Sequence, residues 1–217
     1  MKIKNVGFEN IRITGGFWAE KQELIRNVSA INVYNRFDET GRIGAFACDW
    51  KEGMPKQPHF FWDSDVAKWI EGVAYILEQH PLPDLEAVCD EAIDDIVAGA
   101  DENGYFNSYF LIFDEPKFSN RDRHELYCLG HLIEAAVAYK RATGKDKLLR
   151  AMCKYTDYVI KVFKEENSAG FATPGHPELE LALMKLYKET GEKKYADLAL
   201  HFIDLHGAND KDGKNLE

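Results

Sequence analysis

From residue 17 onward, apolar positions recur at spacings of three and four, the signature of helices with one buried face. The pattern predicts helices over about 17–38, 64–80, 83–101, 123–143, 146–166, 178–190 and 193–206. Ahead of them, residues 1–16 alternate apolar and polar (Val6, Phe8, Ile11, Ile13) and end at Gly15-Gly16, which predicts one or two short strands. Three stretches follow neither period: 41–62 (GRIGAFACDWKEGMPKQPHFFW), 103–122 (holding NGYFNSYF) and 167–177 (NSAGFATPGHP). They read as long loops rich in Gly, Pro and aromatic residues.

A repeat organises the helices. AYKRATGKDKLLRAMCKYTDY (138–158) aligns with KLYKETGEKKYADLALHFIDL (185–205) at a fixed offset of 47, with the Thr-Gly turn, the following basic position and the closing aromatic and Asp in register. Each copy is an αα-hairpin about a short glycine turn, and AYILEQHPLPDLEAVCDEAID is a degenerate third copy. Stacked hairpins form a solenoid or a closed toroid. The turns inside hairpins are short whereas the segments entering them are long and aromatic, which places the functional loops on one rim. Seven helices are fewer than the roughly twelve of a six-hairpin ring. The expectation is therefore a short N-terminal strand segment (1–16), then the first part of an (α/α)6 barrel (17–217) cut from a longer chain. A helix face left bare by absent hairpins should self-associate.

Charge and cysteine usage narrow the function classes. Lys and Arg number 27 against 37 Asp and Glu, a net charge of −10. No basic block is present, so nucleic acid is excluded as a partner. The first residues lack the apolar core of a signal peptide, and no stretch approaches the ~20 apolar residues of a membrane span. The four cysteines (Cys48, Cys89, Cys128, Cys153) form no CxxC pair, which argues against a disulfide framework or a self-contained zinc site and for a reducing cytoplasm.

Three constellations carry candidate chemistry. On the helix from 123, His124, Cys128 and His131 share one face, suited to a metal, a pocket wall or a packing seam. The residues span about ten ångströms along the axis, too far for one ion to touch both ends. His124 lies next to the loop rim, while His131 is two turns deeper and reads as structural. In PHFFWDSDVAKWIEG (58–72), aromatic rings precede Asp63 and Asp65. Rings stack on apolar sugar faces and carboxylates accept hydroxyl bonds, while Asp63 or Ser64 also suits a helix N-cap. In GFATPGHPELELALMKLY (170–187), Pro177 is placed at the first helical position and His176 at or beside the cap, on the rim of His124. Neutral imidazoles both donate and accept, as sugar hydroxyls require. Spacing alone supplies no complete catalytic set.

NRDRHELYCLGHLIEAAVAY, FATPGHPELELALMKLYKETGEKKY, FFWDSDVAKWIEG and NGYFNSYF together resemble the N-terminal part of the β-L-arabinofuranosidases of glycoside hydrolase family 127, over essentially the whole chain. The resemblance implies an (α/α)6 barrel followed by β-sandwich domains. It also implies an exo-acting, retaining hydrolase with a zinc-held cysteine thiolate as nucleophile, a glutamate as acid/base, and zinc bound by a glutamate and three cysteines. Those motifs match nothing in this chain, so no catalytic residue and no zinc ligand is assigned here, and no cofactor is expected on it. What carries over is that His124 and His176 match histidines that bind arabinofuranose. Trp62, Asp63 and Glu125 are further sugar-binding candidates, chosen for rim position and chemistry. The expected partner is an L-arabinofuranoside. Two other readings stay open from the residues: another (α/α)6 sugar enzyme, such as an epimerase or unsaturated-uronyl hydrolase, or a non-catalytic helical binding module.

Overall fold

The computed structural model describes residues 6–7 and 10–209. Its elements are α1 (Gly16–Leu24), a π-turn (Ile25–Ser29), α2 (Ala30–Thr40), a 3₁₀ turn (Gly44–Ala47), α3 (Trp62–Gln79), α4 (Pro83–Gly99), α5 (Ser108–Phe113), a 3₁₀ turn (Arg121–Arg123), α6 (Glu125–Thr143), α7 (Lys147–Ile160), a π-turn (Lys161–Glu165), α8 (Glu178–Thr190) and α9 (Lys193–Leu205). The helices expected from periodicity are all present. The expected N-terminal strands are not found among the described residues: residues 6–7 and 11–15 lie in no strand, Asn10 is in a helical turn, and Phe8 falls outside the described residues. The loop read over 103–122 also contains α5. Asn107 caps it by accepting a bond from Phe110 N at 3.3 Å, a local signal that an N-cap Asn provides.

The repeat is geometrically real. α6–α7 and α8–α9 turn through Gly144 and Gly191, both in the left-handed region at φ 78° and 77°. Each glycine N–H donates back to the helix, to Lys140 O and Tyr187 O, both at 2.8 Å. Thr143 and Thr190 each bond the carbonyl four residues earlier and accept from the amide two residues later. Glycine is needed there because a side chain at positive φ is strained. The α3–α4 turn has no glycine and instead starts α4 on Pro83.

α3, α6 and α8 pack side by side, and α4, α7 and α9 return behind them. These three hairpins form an arc of a two-layered (α/α) toroid. α6 is its centre: Leu126, Leu129, Leu132, Ile133 and Tyr139 are all buried, on several faces of the helix, as a helix packed on more than one side must be. Gly130 lets α8 approach closely, since a Cβ there would lie 2.8 Å from Glu178 Cγ. Tyr155 of α7 and Phe202 of α9, equivalent in the repeat, are both fully buried. At the opposite end, α1 buries nothing and α2 only Ala30, whose carbonyl accepts the Trp69 indole N–H at 2.8 Å. The first turns of α3, α6 and α8 share one rim, and the long loops converge on it.

Candidate functional site

His124 is the last residue before α6 and sits at φ 62°, ψ 17°, a left-handed conformation that turns its ring toward the rim. Its Nδ1 lies 2.7 Å from the Asp122 carbonyl. A carbonyl only accepts, so Nδ1 carries the proton and Nε2 of the neutral ring is an acceptor. His176, exposed in the loop before α8, brings its Nε2 to 3.1 Å from His124 Nε2. The pair therefore offers one acceptor and one donor side by side. Aromatic rings pack around it: Phe60 at 5.3 Å and Phe61 at 6.1 Å from His124, and Tyr127 at 5.5 Å from His124 and 5.0 Å from His176. His59 stacks on both phenylalanines. Burial, then the neighbouring His124 ring and the Arg123 and Arg42 guanidiniums, holds its pKa below the ordinary histidine range, which favours a neutral ring.

The structure separates the candidates. His124 and His176 come together. Trp62 is half-buried, with the Arg42 guanidinium 4.9 Å above its ring and that arginine paired to Asp65 at 2.9 Å, so one ring face is covered. Asp63 does not open onto the rim: its side chain is buried in the first turn of α3, where Oδ2 accepts from Ser108 N at 2.8 Å and Oδ1 from Ser108 Oγ at 2.5 Å. Nor is Asp63 or Ser64 the N-cap, because α3 begins two residues earlier, with Phe61 in the cap position. Burial raises the Asp63 carboxyl to about 6 against the lowering effect of those bonds. Glu125 is likewise beneath the rim, 2% exposed, accepting from Tyr105 OH at 2.6 Å and from Phe118 N at 2.9 and 3.0 Å. Both carboxylates anchor loops, and each of their oxygens accepts a bond from the protein. Pro177 stands at the cap position of α8, one residue before the helix proper.

The three-residue face on α6 diverges. Cys128 points at the Phe60 carbonyl, 3.5 Å away. His131 packs on Tyr127 and faces Glu178 Oε1 at 3.2 Å and Glu134 Oε2 at 3.6 Å. Lys185 binds Glu134 and reaches Glu71 at 3.5 Å, so α3, α6 and α8 share a half-buried charge network below the rim. Burial, with the Glu134 carboxylate beside it, pushes Glu178 up to about 8, while His131, Glu178 and Lys185 hold Glu134 low against its own burial.

The zinc–thiolate chemistry implied by the resemblance needs clustered cysteines. Cys48 follows the first 3₁₀ turn, and Cys89, Cys128 and Cys153 lie on α4, α6 and α7. Burial pushes each thiol up, Cys48 to about 11. Among the described residues, the donors that come within 4.8 Å of one another are His131, Glu134 and Glu178, with no cysteine. These residues do not fit a zinc–thiolate centre.

Sequence reasoning missed Tyr127, Arg121 and Arg123. Tyr127 was readable as the residue three after His124, on the same helical face. The arginines gave no local signal.

The model of the GH127 β-L-arabinofuranosidase catalytic domain matches residues 10–215. The non-reducing end β-L-arabinofuranosidase of Bifidobacterium longum subsp. longum is 44% identical over 153 residues, 68% of this chain and 23% of that protein. The crystal structure of a GH127 β-L-arabinofuranosidase from Geobacillus stearothermophilus T6 superposes with a TM-score of 0.84 at 38% identity, covering 92% of this chain and 33% of that one. A second GH127 β-arabinofuranosidase superposes with a TM-score of 0.83 at 32% identity, with the same coverage. The chain thus spans about a quarter to a third of the relatives it matches. By the extent of the family match and the superposition of its helical arc, the chain belongs to the catalytic-domain family of the GH127 β-L-arabinofuranosidases.

Proposed function

We propose that this chain forms part of the sugar-binding wall of an exo-acting, retaining β-L-arabinofuranosidase, and that its ligand is a terminal L-arabinofuranose. The observation that carries this reading is the His124–His176 pair, nitrogen to nitrogen at 3.1 Å over a floor of Phe60, Phe61 and Tyr127. A sugar hydroxyl donates and accepts at once. Entering between the rings, it donates to His124 Nε2 and accepts from His176 Nε2–H, replacing one bond with two. Two bonds of about 2.8 Å need the nitrogens roughly 4.5 Å apart, a swing that the exposed His176 side chain has room to make. The apolar face of the ring stacks on the aromatic floor.

Within this chain the assigned chemistry is binding and orientation. Its thiols are held protonated, and Asp63 and Glu125 are committed to protein partners, so the 217-residue chain is expected to bind sugar with little hydrolysis. The relatives support a carbohydrate substrate, and the four unpaired cysteines support a reducing, cytoplasmic setting.

The test is titration with methyl β-L-arabinofuranoside, followed through histidine side-chain NMR signals. His124→Ala and His176→Ala should each weaken binding by about 3- to 10-fold, the worth of one or two hydrogen bonds. Binding that is unchanged in both variants, or that leaves the histidine signals unmoved, would overturn the reading.

A further inference from the structure

His124 and His176 are 52 residues apart and meet with their nitrogens 3.1 Å apart, although His176 is an exposed side chain on a segment with no regular structure. Freezing such a segment costs backbone entropy, so something must hold it. The holding group is Arg121. Its Nε donates to Thr173 O at 3.2 Å and to Pro174 O at 3.3 Å, and its Nη2 donates to Pro174 O at 3.1 Å. Both gripped residues are buried, and His176 follows Pro174 by two.

The two strands of chain are also in backbone contact on either side of that grip. Gly170 N donates to Phe118 O at 2.8 Å, and a Cβ at Gly170 would fall 2.7 Å from Ser119 O. At the other end a Cβ on Gly175 would sit 3.0 Å from Arg121 O. Arg121 itself opens the 3₁₀ turn that ends at His124, and Asn120 Oδ1 pins that turn by accepting from Asp122 N at 2.9 Å. One short turn therefore carries the His124 ring at its end and the clamp on the His176 loop at its start. Arg123, between them, lays its guanidinium over Phe60 and Tyr109 and donates to Tyr109 OH at 3.3 Å, which ties the aromatic loop to the same turn.

We infer that Arg121 is a positioning residue: by gripping the Thr173 and Pro174 carbonyls it sets the backbone of His176 at the distance where the two imidazoles work as a pair. The grip uses the planar fork of a guanidinium, two nitrogens along one edge meeting two successive carbonyls. A lysine keeps the charge but is a single point and cannot span both. The consequence for sugar rests on the binding reading above. The positioning itself does not.

The experiment separates the two. Histidine side-chain ¹⁵N–¹H spectra are recorded for the protein, His176→Ala, Arg121→Lys, and Arg121→Lys with His176→Ala, with urea unfolding alongside. In the Arg121-containing protein, removing His176 should shift the His124 Nε2 signal. In the Arg121→Lys background that response should be largely lost while the urea midpoint holds. Affinity for methyl β-L-arabinofuranoside should fall up to about tenfold in Arg121→Lys, with no further loss on adding His176→Ala, since both remove the same hydrogen bond. An undiminished His124 response in Arg121→Lys would overturn the proposal, whatever happens to stability, and a lowered urea midpoint with that response intact would mark Arg121 as loop packing alone. Should Arg121→Lys fail to fold, Gly175→Ala, which presses on the Arg121 backbone from the other side, supplies the same readout, and an undiminished response there overturns it equally. If the sugar does not bind the unaltered protein, the binding reading fails, and the His124 response still decides the role of Arg121.

Discussion

Glu125 offers the sharpest test of how the rim is built, because chemistry alone makes it a sugar ligand and geometry makes it an anchor. Its carboxylate is buried with Tyr105, fully buried, and Phe118, 1% exposed, both bonded to it. Glu125→Ala leaves a hydroxyl and a backbone N–H buried without partners, at about 1–3 kcal/mol each. It also removes the packed γ-methylene, at about 0.8 kcal/mol. The expected loss is therefore about 3–7 kcal/mol, read as a drop in urea midpoint by far-UV circular dichroism. Glu125→Gln keeps an acceptor for Phe118 N and turns its amide to the Tyr105 oxygen, so it should cost only about 1 kcal/mol. Glu125→Ala with Tyr105→Phe should recover part of the loss, because the stranded hydroxyl is gone.

The pH dependence gives an independent check. Burial raises the Glu125 carboxyl to about 7 from an ordinary 4.5, with the Tyr105 and Phe118 bonds and the Lys117 charge opposing. The folded state then holds the proton more tightly than the unfolded one. Its contribution is fully present below about 4.5 and is lost as pH rises through 7, at no more than about 1.4 kcal/mol per pH unit. Glu125→Gln should flatten that slope. If Glu125→Ala keeps the parent urea midpoint while losing affinity for the arabinofuranoside, the anchoring argument is wrong and the carboxylate faces the sugar.

Asp63→Asn should destabilise by about 1–3 kcal/mol, since one of the two bonds from Ser108 loses its acceptor, and it should remove the decline in stability between pH 4 and 6 that a buried carboxyl raised to about 6 produces. Parallel urea titrations of the two proteins across that range check both. Glu178→Gln should likewise remove a loss of stability as pH rises from about 4.5 through 8, because the native pair with Glu134 prefers to keep its proton; thermal melts at pH 5 and pH 8 would refute this if the variant and parent fall equally. Leu181 and Met184 on α8 and Leu200 and Ile203 on α9 stand exposed on neighbouring helices. Sedimentation velocity should show concentration-dependent self-association, reduced by Leu200→Lys with Ile203→Lys, and a monomer at every concentration would exclude this face as its cause.

The helices were legible because their signals are local. Periodicity marks a buried face, and a Thr-Gly turn closes a hairpin through bonds made within four residues of itself, which is why both copies of the repeat end alike at Thr143-Gly144 and Thr190-Gly191. The rim asymmetry was legible too, since loop lengths can be counted. The alternation at Ile11 and Ile13 gives no strand among the described residues, where no partner strand is present to pair with, and period alone does not make a sheet.

The tertiary structure decided which polar groups face outward. A carboxylate in the first turn of a helix reads the same along the chain whether solvent or a folded-over loop lies above it. Ser108 arrives over Asp63 from 45 residues away and Phe118 folds back over Glu125, and those contacts turned two apparent sugar ligands into anchors. The same holds for His131, whose partner Glu178 sits on another helix, and for Arg121, whose carbonyl partners lie more than fifty residues on. The sequence by itself determined that two histidines would open helices on one rim. Their 3.1 Å approach depends on a guanidinium fork, two glycines and a left-handed residue acting together across the chain, and bonds between distant segments leave no period or spacing in the sequence.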